Sequence, residues 1–415
     1  MKKSILTFIL VLFVVLTSGC TELAKVTSPP QGTPFETEAT PADTLNESDY
    51  ADLFIEEDRK NNRISFLCAG DNVIHPALYI EAKRRADEST RTYNFLPMYS
   101  DVAELIASYD ITFINQETLM AGDEKYGLSG YPHFNSPQDL AYDLQDLGFD
   151  IVNIANNHMV DKGESGLSDT LDFYDTLDFL MIGGYRNNED YNAVRIYEED
   201  GVKIAMLSYT YGTNGLKLPS SSDLVIPYLN EDTVERQIKD AREKADLVFV
   251  SVHWGEENYT TPFPDQKKYA KIMTDAGADV IIGHHPHVIQ PIEWMTGKDG
   301  NTTLCIYSLG NLVSEMAKSI NMVGGFVTFD IVVENGGVPF IDNVKFIPTI
   351  FHYGMNYFST HLYFMEDYNE ELASKHGTRI YGSTSDHTYT YKNFKALVKE
   401  IIDDEFLPDY LKSES

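Results

Sequence analysis

The sequence predicts an α/β protein whose sheets are covered by helices. Beyond residue 60, short apolar runs alternate with amphipathic stretches, and the runs are apolar on both faces, as is typical of strands covered by a layer on each side. The chain has 415 residues, and 43% of them are hydrophobic. This length allows one large α/β domain with appendages or two ordinary domains, and the composition predicts a sizeable core.

The first twenty residues have the pattern of a secretory signal. Lys2 and Lys3 precede an apolar run over residues 5–16, and three small residues then lead to Cys20. A cysteine directly after small residues is typical of a lipobox, although Leu16 lies one position earlier than usual. We expect a signal peptide over residues 1–19 and a lipidated Cys20. The protein would then be held at the extracytoplasmic face of the cell membrane; a retained anchor and simple secretion are the alternatives.

Composition divides the rest of the chain into three parts. Residues 20–60 contain scattered prolines among Thr, Ser, Glu and Asp, which predicts a lipidated and disordered tether. Residues 61–350 carry the alternating α/β pattern. Residues 351–415 are aromatic and acidic, and we interpret them as an extension that covers the domain.

Strand predictions follow from the apolar runs. The predicted strands cover residues 64–70, 111–115, 151–155, 203–209, 247–253, 280–283 and 304–308. A hairpin is expected between residues 326–333 and 344–348, because Asn335-Gly336-Gly337 is turn chemistry.

Helices are predicted between these strands by 3.6-residue spacing. The residues that carry this spacing are Val102, Leu105 and Ile106, and then Leu167, Leu171 and Tyr174. Gly148 and Gly277 each stand two or three residues before a strand, where a glycine ends a helix in the left-handed conformation. This recurring joint from helix to strand is typical of α/β folds.

Charge and cysteine content restrict the chemistry. The formal net charge is −32, so the surface repels nucleic acid, and no nucleic-acid partner is expected. An anionic polymer would also be repelled unless bound cations invert the local field. If Cys20 is lipidated, Cys68 and Cys305 remain in apolar runs; we interpret them as buried free thiols, with a disulfide as the alternative.

Polar residues with ligand chemistry follow the predicted strands. These segments are Gly70-Asp71-Asn72, Asn115-Gln116-Glu117, Asn156-Asn157-His158, His253 to Glu257, His284-His285-Pro286-His287 and Ser308 to Asn311. Six of the eleven histidines fall in or near them. Because ligands bind at the carboxyl ends of strands in open α/β sheets, we expect these groups to converge on one edge.

This set of residues suits a site for one or two divalent cations. The predicted ligands are Asp71, Glu117, Asn157, His253, His285 and His287. Mixed nitrogen and oxygen ligands suit Mn, Fe or Zn and do not choose among them. Asp71 and His158 are the candidate catalytic residues, with His158 as a proton donor to a leaving group. Residues expected to support the ligands or contact substrate are His75, Asn115, Asn156, Asp161, Glu257, His284 and Asn311.

The segments resemble the bacterial capsule-synthesis CapA family, which is associated with poly-γ-glutamate capsules. The most specific runs are Ala155-Asn156-Asn157-His158 and Gly283-His284-His285-Pro286-His287, and the match spans residues 64 to 330. The resemblance implies a fold related to the calcineurin-like metallophosphoesterases. It implies that Asp71, a bridging Glu117, Asn157, His253, His285 and His287 are ligands, and that His158 is catalytic.

Three positions depart from the phosphoesterase pattern. Val73 stands where a histidine would follow the first Asp, and His75 would be the substitute. Glu117 replaces an Asp, and the doubled His284-His285 leaves the register of the last pair open.

Three functions remain open from the sequence. The first is a metal-dependent hydrolase acting on a phosphoester or on a cell-envelope polymer such as poly-γ-glutamate. The second is a non-catalytic, polymer-binding component of a capsule synthase or export complex. The third, a solute-binding lipoprotein, would not explain the histidines at the strand ends.

Overall fold

The computed structural model describes residues 61–87, 91–381 and 388–412. The predicted signal peptide, Cys20 and the tether over residues 20–60 lie outside the described residues. In chain order, the strands are β1 (Asn61–Asn72), β2 (Ile111–Gln116), β3 (Ile151–Asn153), β4 (Leu180–Ile182), β5 (Arg195–Glu199), β6 (Val202–Thr210), β7 (Leu247–His253), β8 (Val280–His284), β9 (Ile292–Thr296), β10 (Thr302–Ile306), β11 (Asn311–Val313), β12 (Val323–Glu334), β13 (Phe340–His352) and β14 (His361–Phe364).

The helices alternate with these strands through most of the chain. In chain order, the α-helices are α1 (Pro76–Arg85), α2 (Ala103–Ala107), α3 (Asp123–Tyr126), α4 (Asp139–Leu147), α5 (Gly163–Tyr174), α6 (Asn188–Asn192), α7 (Glu231–Arg242), α8 (Pro264–Ala276), α9 (Glu370–Lys375), α10 (Thr378–Tyr381) and α11 (Tyr391–Ile401). None of the helices in the described part of the chain is long and apolar enough to cross a membrane.

Two sheets form the centre of the molecule. The first has the order β14-β13-β12-β1-β2-β3-β4, and β11 also pairs with β1. Its strands β1 to β4 are parallel, whereas β12, β13 and β14 are antiparallel. The second sheet has the order β5-β6-β7-β8-β10-β9, with parallel inner strands and antiparallel edges.

The two sheets pack face to face through aromatic side chains. Phe66 of β1 meets Phe249 of β7 edge to face at 5.3 Å between ring centroids, and Phe249 lies 5.8 Å from Phe329 of β12. Helices α4 and α5 contribute buried leucines to the core that contains the first sheet. Helices α7 and α8 bury apolar residues against the second sheet in a separate core. The predicted layered α/β class is therefore confirmed.

Local predictions are largely confirmed. Gly148 and Gly277 end α4 and α8 in the left-handed conformation, at φ of 95° and 106°. The hairpin β12-β13 turns at Asn335 and Gly336, both with positive φ. Cys68 and Cys305 are buried free thiols.

One detail of the strand ends differs from the prediction. Asp71, Gln116 and His284 lie within the last two positions of their strands, whereas the predicted strands end at residues 70, 115 and 283. The ladder hydrogen bonds thus extend to the ligand residues themselves, which holds their backbones rigidly.

The chain beyond residue 351 adds to the first sheet and then packs over it. Strand β14 pairs with β13 at the sheet edge. Helix α11 buries Phe394 and Val398 in the same core as the sheet, and the Phe394 ring contacts Tyr368 and Tyr389.

Candidate metal centre

Parallel strands of both sheets deliver ligand residues to one edge of the sandwich. Asp71 lies at the end of β1, and Glu117 follows β2 directly. His253 ends β7, and His284 ends β8. Because the two sheets pack face to face, the carboxylates of the first sheet meet the imidazoles of the second.

The backbone after β8 is strained in a way that aims two histidines inward. His285 and His287 have φ of 96° and 56°, in a backbone region that residues other than glycine rarely adopt. Such strain is found at ligand and active sites, where the surrounding structure enforces it. The residue before this segment must be a glycine, Gly283, because a Cβ there would lie 2.0 Å from the Tyr307 carbonyl oxygen.

Asp71 is fully buried and well supplied with hydrogen-bond donors. Its Oδ1 accepts from Asn115 Nδ2 at 2.8 Å, and its Oδ2 accepts from the His285 amide at 3.2 Å. His284 Nδ1 and His287 Nδ1 each lie 3.2 Å from one of its oxygens. Burial works to raise the pKa of Asp71, but these two imidazoles outweigh it and hold the pKa well below the ordinary value.

Glu117 is buried without such support. Neither of its carboxylate oxygens accepts a hydrogen bond from any residue that the structure describes. His287 Nε2 lies 3.5 Å from Oε1, and His253 Nε2 lies 3.7 Å from the same oxygen. Burial raises the pKa of Glu117 well above its ordinary value, although His287 opposes the shift. A buried carboxylate without donors is costly unless a cation accompanies it.

Three overlapping groups of side chains fit a metal ion. The ligand atoms within each group lie within 4.8 Å of one another, and the groups are Glu117, His253 and His285; Asp71, Glu117 and His287; and Glu257, His285 and His287. Asn157 extends the first group, because its Oδ1 lies 3.0 Å from His253 Nε2. A divalent cation would satisfy the unpartnered oxygens of Glu117, so the residues present fit such an ion.

The protonation of the imidazoles is uneven. Burial lowers the pKa of His285 to about 3. His253 also has a lowered pKa, first through burial and then through His285. Burial works against protonation of His287, but Glu117 and Asp71 raise its pKa to about 10. Without a metal, a protonated His287 therefore balances the charge of the Asp71 carboxylate.

His158 forms a pair with Asp161 at the edge of this cluster. Its Nδ1 lies 2.8 Å from Asp161 Oδ2, which also accepts from the Phe134 amide at 2.7 Å. The His158 amide donates to Asn156 Oδ1 at 2.9 Å, and the imidazole packs edge-on against Phe134 at 4.7 Å. Because the Asp161 carboxylate accepts a hydrogen bond from Nδ1, Nε2 is the nitrogen that can exchange a proton with a ligand.

Supporting contacts surround the ligand groups. Asn156 Nδ2 donates to the Gln116 carbonyl at 3.1 Å, which ties the loop after β3 to β2. Asn311 Oδ1 lies 3.0 Å from His287 Nδ1, and Asn311 Nδ2 donates to the His287 carbonyl at 3.3 Å. Glu257 is exposed at the rim of the cluster.

His75 does not join the ligand groups found among the described residues. Its Nδ1 lies 3.1 Å from the Val73 carbonyl, and its ring packs edge-on against Phe134 at 5.1 Å, on which His158 also rests. Burial lowers its pKa to about 4. His75 therefore does not replace the histidine that is missing at Val73 from the group of Asp71, Glu117 and His287.

Sequence reasoning missed Tyr211, which follows β6. Its ring lies 4.6 Å from His285 and is stacked against His253 at 6.3 Å. The side chain is 45% exposed, so it forms a wall of the cluster that faces solvent. A single tyrosine after a strand has no sequence signal, and only the position of β6 beside β7 identifies it.

Fold and side chains together define the class: a layered α/β protein with a buried cluster of carboxylates and imidazoles suited to a metal ion. The chain belongs to the family described as bacterial capsule synthesis protein PGA_cap, whose family model matches residues 65–316. This confirms the family resemblance that the sequence motifs indicated.

Named relatives match about half of the chain. It is 30% identical to the capsule biosynthesis protein CapA of Bacillus anthracis over 61% of each chain. It is 35% identical to the PGA biosynthesis protein CapA of Bacillus subtilis over 44% of this chain and 47% of that one. The matches therefore span less than two thirds of either relative's length.

Among solved structures, the chain is similar to the NAD nucleotidase of Haemophilus influenzae. The identity is 14%, the TM-score is 0.42, and the match covers 84% of this chain and 58% of that one.

Proposed function

We propose that this protein acts in the biosynthesis of a capsule polymer of the poly-γ-glutamate kind, as a metal-dependent hydrolase. The observation that carries the proposal is the buried, unpartnered carboxylate of Glu117 between His253 and His287. The family supports the link with capsules. The relatives named for capsule and PGA biosynthesis point to the same polymer.

In this proposal, the cluster holds one or two divalent cations such as Mn, Fe or Zn. The residues that would hold them are Asp71, Glu117, Asn157, His253, His285 and His287. A cation bound there would act as a Lewis acid and lower the pKa of a coordinated water. Asn115 and the His285 amide orient Asp71 for this role, because each donates a hydrogen bond to its carboxylate.

His158 supplies the acid in the same proposal. Asp161 fixes its Nδ1, so Nε2 can donate a proton to the leaving oxygen or nitrogen of a phosphoester or amide. Phe134 packs against the ring and limits its rotation.

A non-catalytic role in polymer binding is the second candidate. It is favoured by Val73, which leaves the group of Asp71, Glu117 and His287 one histidine short of the phosphoesterase pattern. In that role, a bound cation would bridge the cluster to the carboxylates of an anionic polymer within a synthase or export complex.

Complementation separates the two roles. A strain lacking the gene would receive the wild-type protein, His285→Ala or His158→Gln, and polymer output would be measured. The hydrolase role predicts loss of output with both variants. The binding role predicts loss with His285→Ala and normal output with His158→Gln. Normal output with both variants would contradict both roles.

Attachment to the membrane through lipid on Cys20 is part of the proposal. Cys20→Ser is expected to abolish incorporation of a labelled fatty acid and to release the protein from the membrane fraction. Because Cys68 and Cys305 are buried thiols, Cys68→Ser serves as the matched control that keeps the label. Labelling that survives in Cys20→Ser would contradict the anchor.

A further inference from the structure

Two of the ligand groups at the candidate metal centre share Glu117 but differ in the number of side chains that they offer. The larger group has four members, Glu117, Asn157, His253 and His285. The smaller group has three members, Asp71, Glu117 and His287. Four protein ligands complete a tetrahedral ion, so the smaller group is one ligand short. The missing ligand is the histidine whose position Val73 occupies.

Glu257 lies beside the smaller group and is not counted in it. Its carboxylate, His285 and His287 form the third group, whose ligand atoms lie within 4.8 Å of one another. Both imidazoles are buried, whereas Glu257 is exposed, so its carboxylate reaches them from the solvent side. It forms no hydrogen bond or ion pair with any other residue in the described ranges. The carboxylate is therefore available to a cation held by His287.

Backbone hydrogen bonds tie the loop that carries Glu257 to the histidine segment after β8. The Trp254 amide donates to the His284 carbonyl at 3.1 Å, on one side of Glu257. The Asn258 amide donates to the Pro286 carbonyl at 2.8 Å, on the other side. Glu257 is thus held between two fixed points, and its distance from the imidazoles is set by the backbone.

We infer that Glu257 is a metal ligand and takes the place of the histidine that is missing at Val73. The inference rests on the proposed function, because it concerns the ions that the centre is proposed to hold. With Glu257 added, the smaller group has three carboxylates and one imidazole. Such an oxygen-rich set suits Mn²⁺, whereas the larger group offers two imidazoles. The centre then has two complete positions that differ in their ligands.

Calorimetric titration of the metal-free full chain with Mn²⁺ tests this inference. The wild-type protein is expected to bind two equivalents. Glu257→Ala should bind the first ion normally and the second at least about 100-fold more weakly, since the loss of a group that merely supports a ligand already costs about tenfold to 100-fold. Glu257→His should bind the second ion within about tenfold of wild type, because the imidazole restores a ligand without restoring the charge.

Glu256→Ala is the matched control. Glu256 is also exposed and precedes Glu257 directly, but it belongs to none of the metal-binding groups found in the described ranges. This variant should bind two equivalents as tightly as wild type.

The outcomes separate the inference from the proposed function. A wild type that binds a single ion, or a Glu257→Ala variant that binds two ions as tightly as wild type, would overturn the inference. An equal loss in Glu257→Ala and Glu257→His would also overturn it, because Glu257 would then act through its charge alone. A wild type that binds no ion would contradict the metal centre as well. Two ions bound as expected without hydrolysis of a phosphoester or a γ-linked peptide would count against the hydrolase proposal alone.

Discussion

His158 illustrates how single residues define the chemistry of this protein. The imidazole is held by Asp161 on one nitrogen and by Phe134 on one edge, so only Nε2 is free to act. The neighbouring cluster depends in the same way on individual atoms, since Glu117 has no donor of its own. Substitution of His158 should therefore affect proton transfer, whereas substitution of Glu117 should affect metal binding.

We predict that His158→Gln lowers the hydrolysis rate of an alkyl phosphodiester, whose alkoxide leaving group needs a proton, by roughly 100-fold to 10,000-fold, the contribution of a positioned acid. Asp161→Asn should lower it by about tenfold to 100-fold, because the imidazole loses its fixed tautomer. Metal content should stay at the wild-type level in both variants. An unchanged rate in His158→Gln would contradict the assignment of the acid.

At this scale, the sequence predicted which residue types would meet, because His, Asn and carboxylates clustered beside predicted strands. It could not predict Tyr211 or Phe134, whose roles depend on packing against His285 and His158. The positive φ of His285 and His287 was also hidden, since neither residue type signals that conformation.

Single elements position the cluster through close backbone contacts. Strands β8 and β10 approach so closely that only glycine fits at position 283, where a Cβ would lie 2.0 Å from the Tyr307 carbonyl oxygen. His284, His285 and His287 follow this glycine. The spacing of two strands therefore determines where those imidazoles point.

We predict that Gly283→Ala destabilises the protein by about 1–3 kcal/mol, the usual cost of overpacking, and lowers metal affinity. Urea unfolding and metal titration would measure the two effects. Gly212→Ala is the matched control, because no atom lies within 4 Å of a Cβ placed there. Equal stability of the two variants would show that the strands have room to move apart.

A second element, β13, makes the C-terminal region sensitive to acid. Burial lowers the pKa of His352 to about 4, and burial together with His352 lowers the pKa of His376 to about 3. In the unfolded chain the pKa of both residues is about 6.5. Above that pH neither state takes up protons, whereas below it the unfolded chain binds protons that the folded chain excludes.

Stability should therefore fall as the pH drops from about 6.5 toward 4, by up to about 1.4 kcal/mol per pH unit for each of the two histidines. His352→Phe should give a shallower slope in urea unfolding between pH 7.5 and 4.5, even though it loses the contact with the Tyr368 hydroxyl at 2.7 Å. A slope identical to that of the wild type would contradict this explanation.

The central parallel strands were predictable because they are apolar on both faces and are bounded by turn residues. The short edge strands β4, β5, β9 and β14 were not, since their exposed or partly exposed residues blur the pattern. The division into two packed sheets also had no local signal, because it depends on contacts such as that between Phe66 and Phe249.

At the scale of the whole molecule, charge governs how a polymer can approach. The chain carries a formal charge of −32, so an anionic polymer reaches the cluster only where cations offset the carboxylates. In the proposed function, the metal ion would therefore serve polymer binding as well as the reaction.

The most direct test of the account is the thermal stability of the protein with and without metal, measured beside metal content. Wild type is expected to bind at least one equivalent of Mn, Fe or Zn and to gain several degrees in Tm, because the ion binds the folded state alone. Glu117→Gln should bind none, gain nothing from metal, and melt above metal-free wild type, since it removes a buried carboxylate that has no hydrogen-bond donor. A wild-type protein that binds no metal, or a Glu117→Gln protein that binds it equally well, would contradict the metal centre.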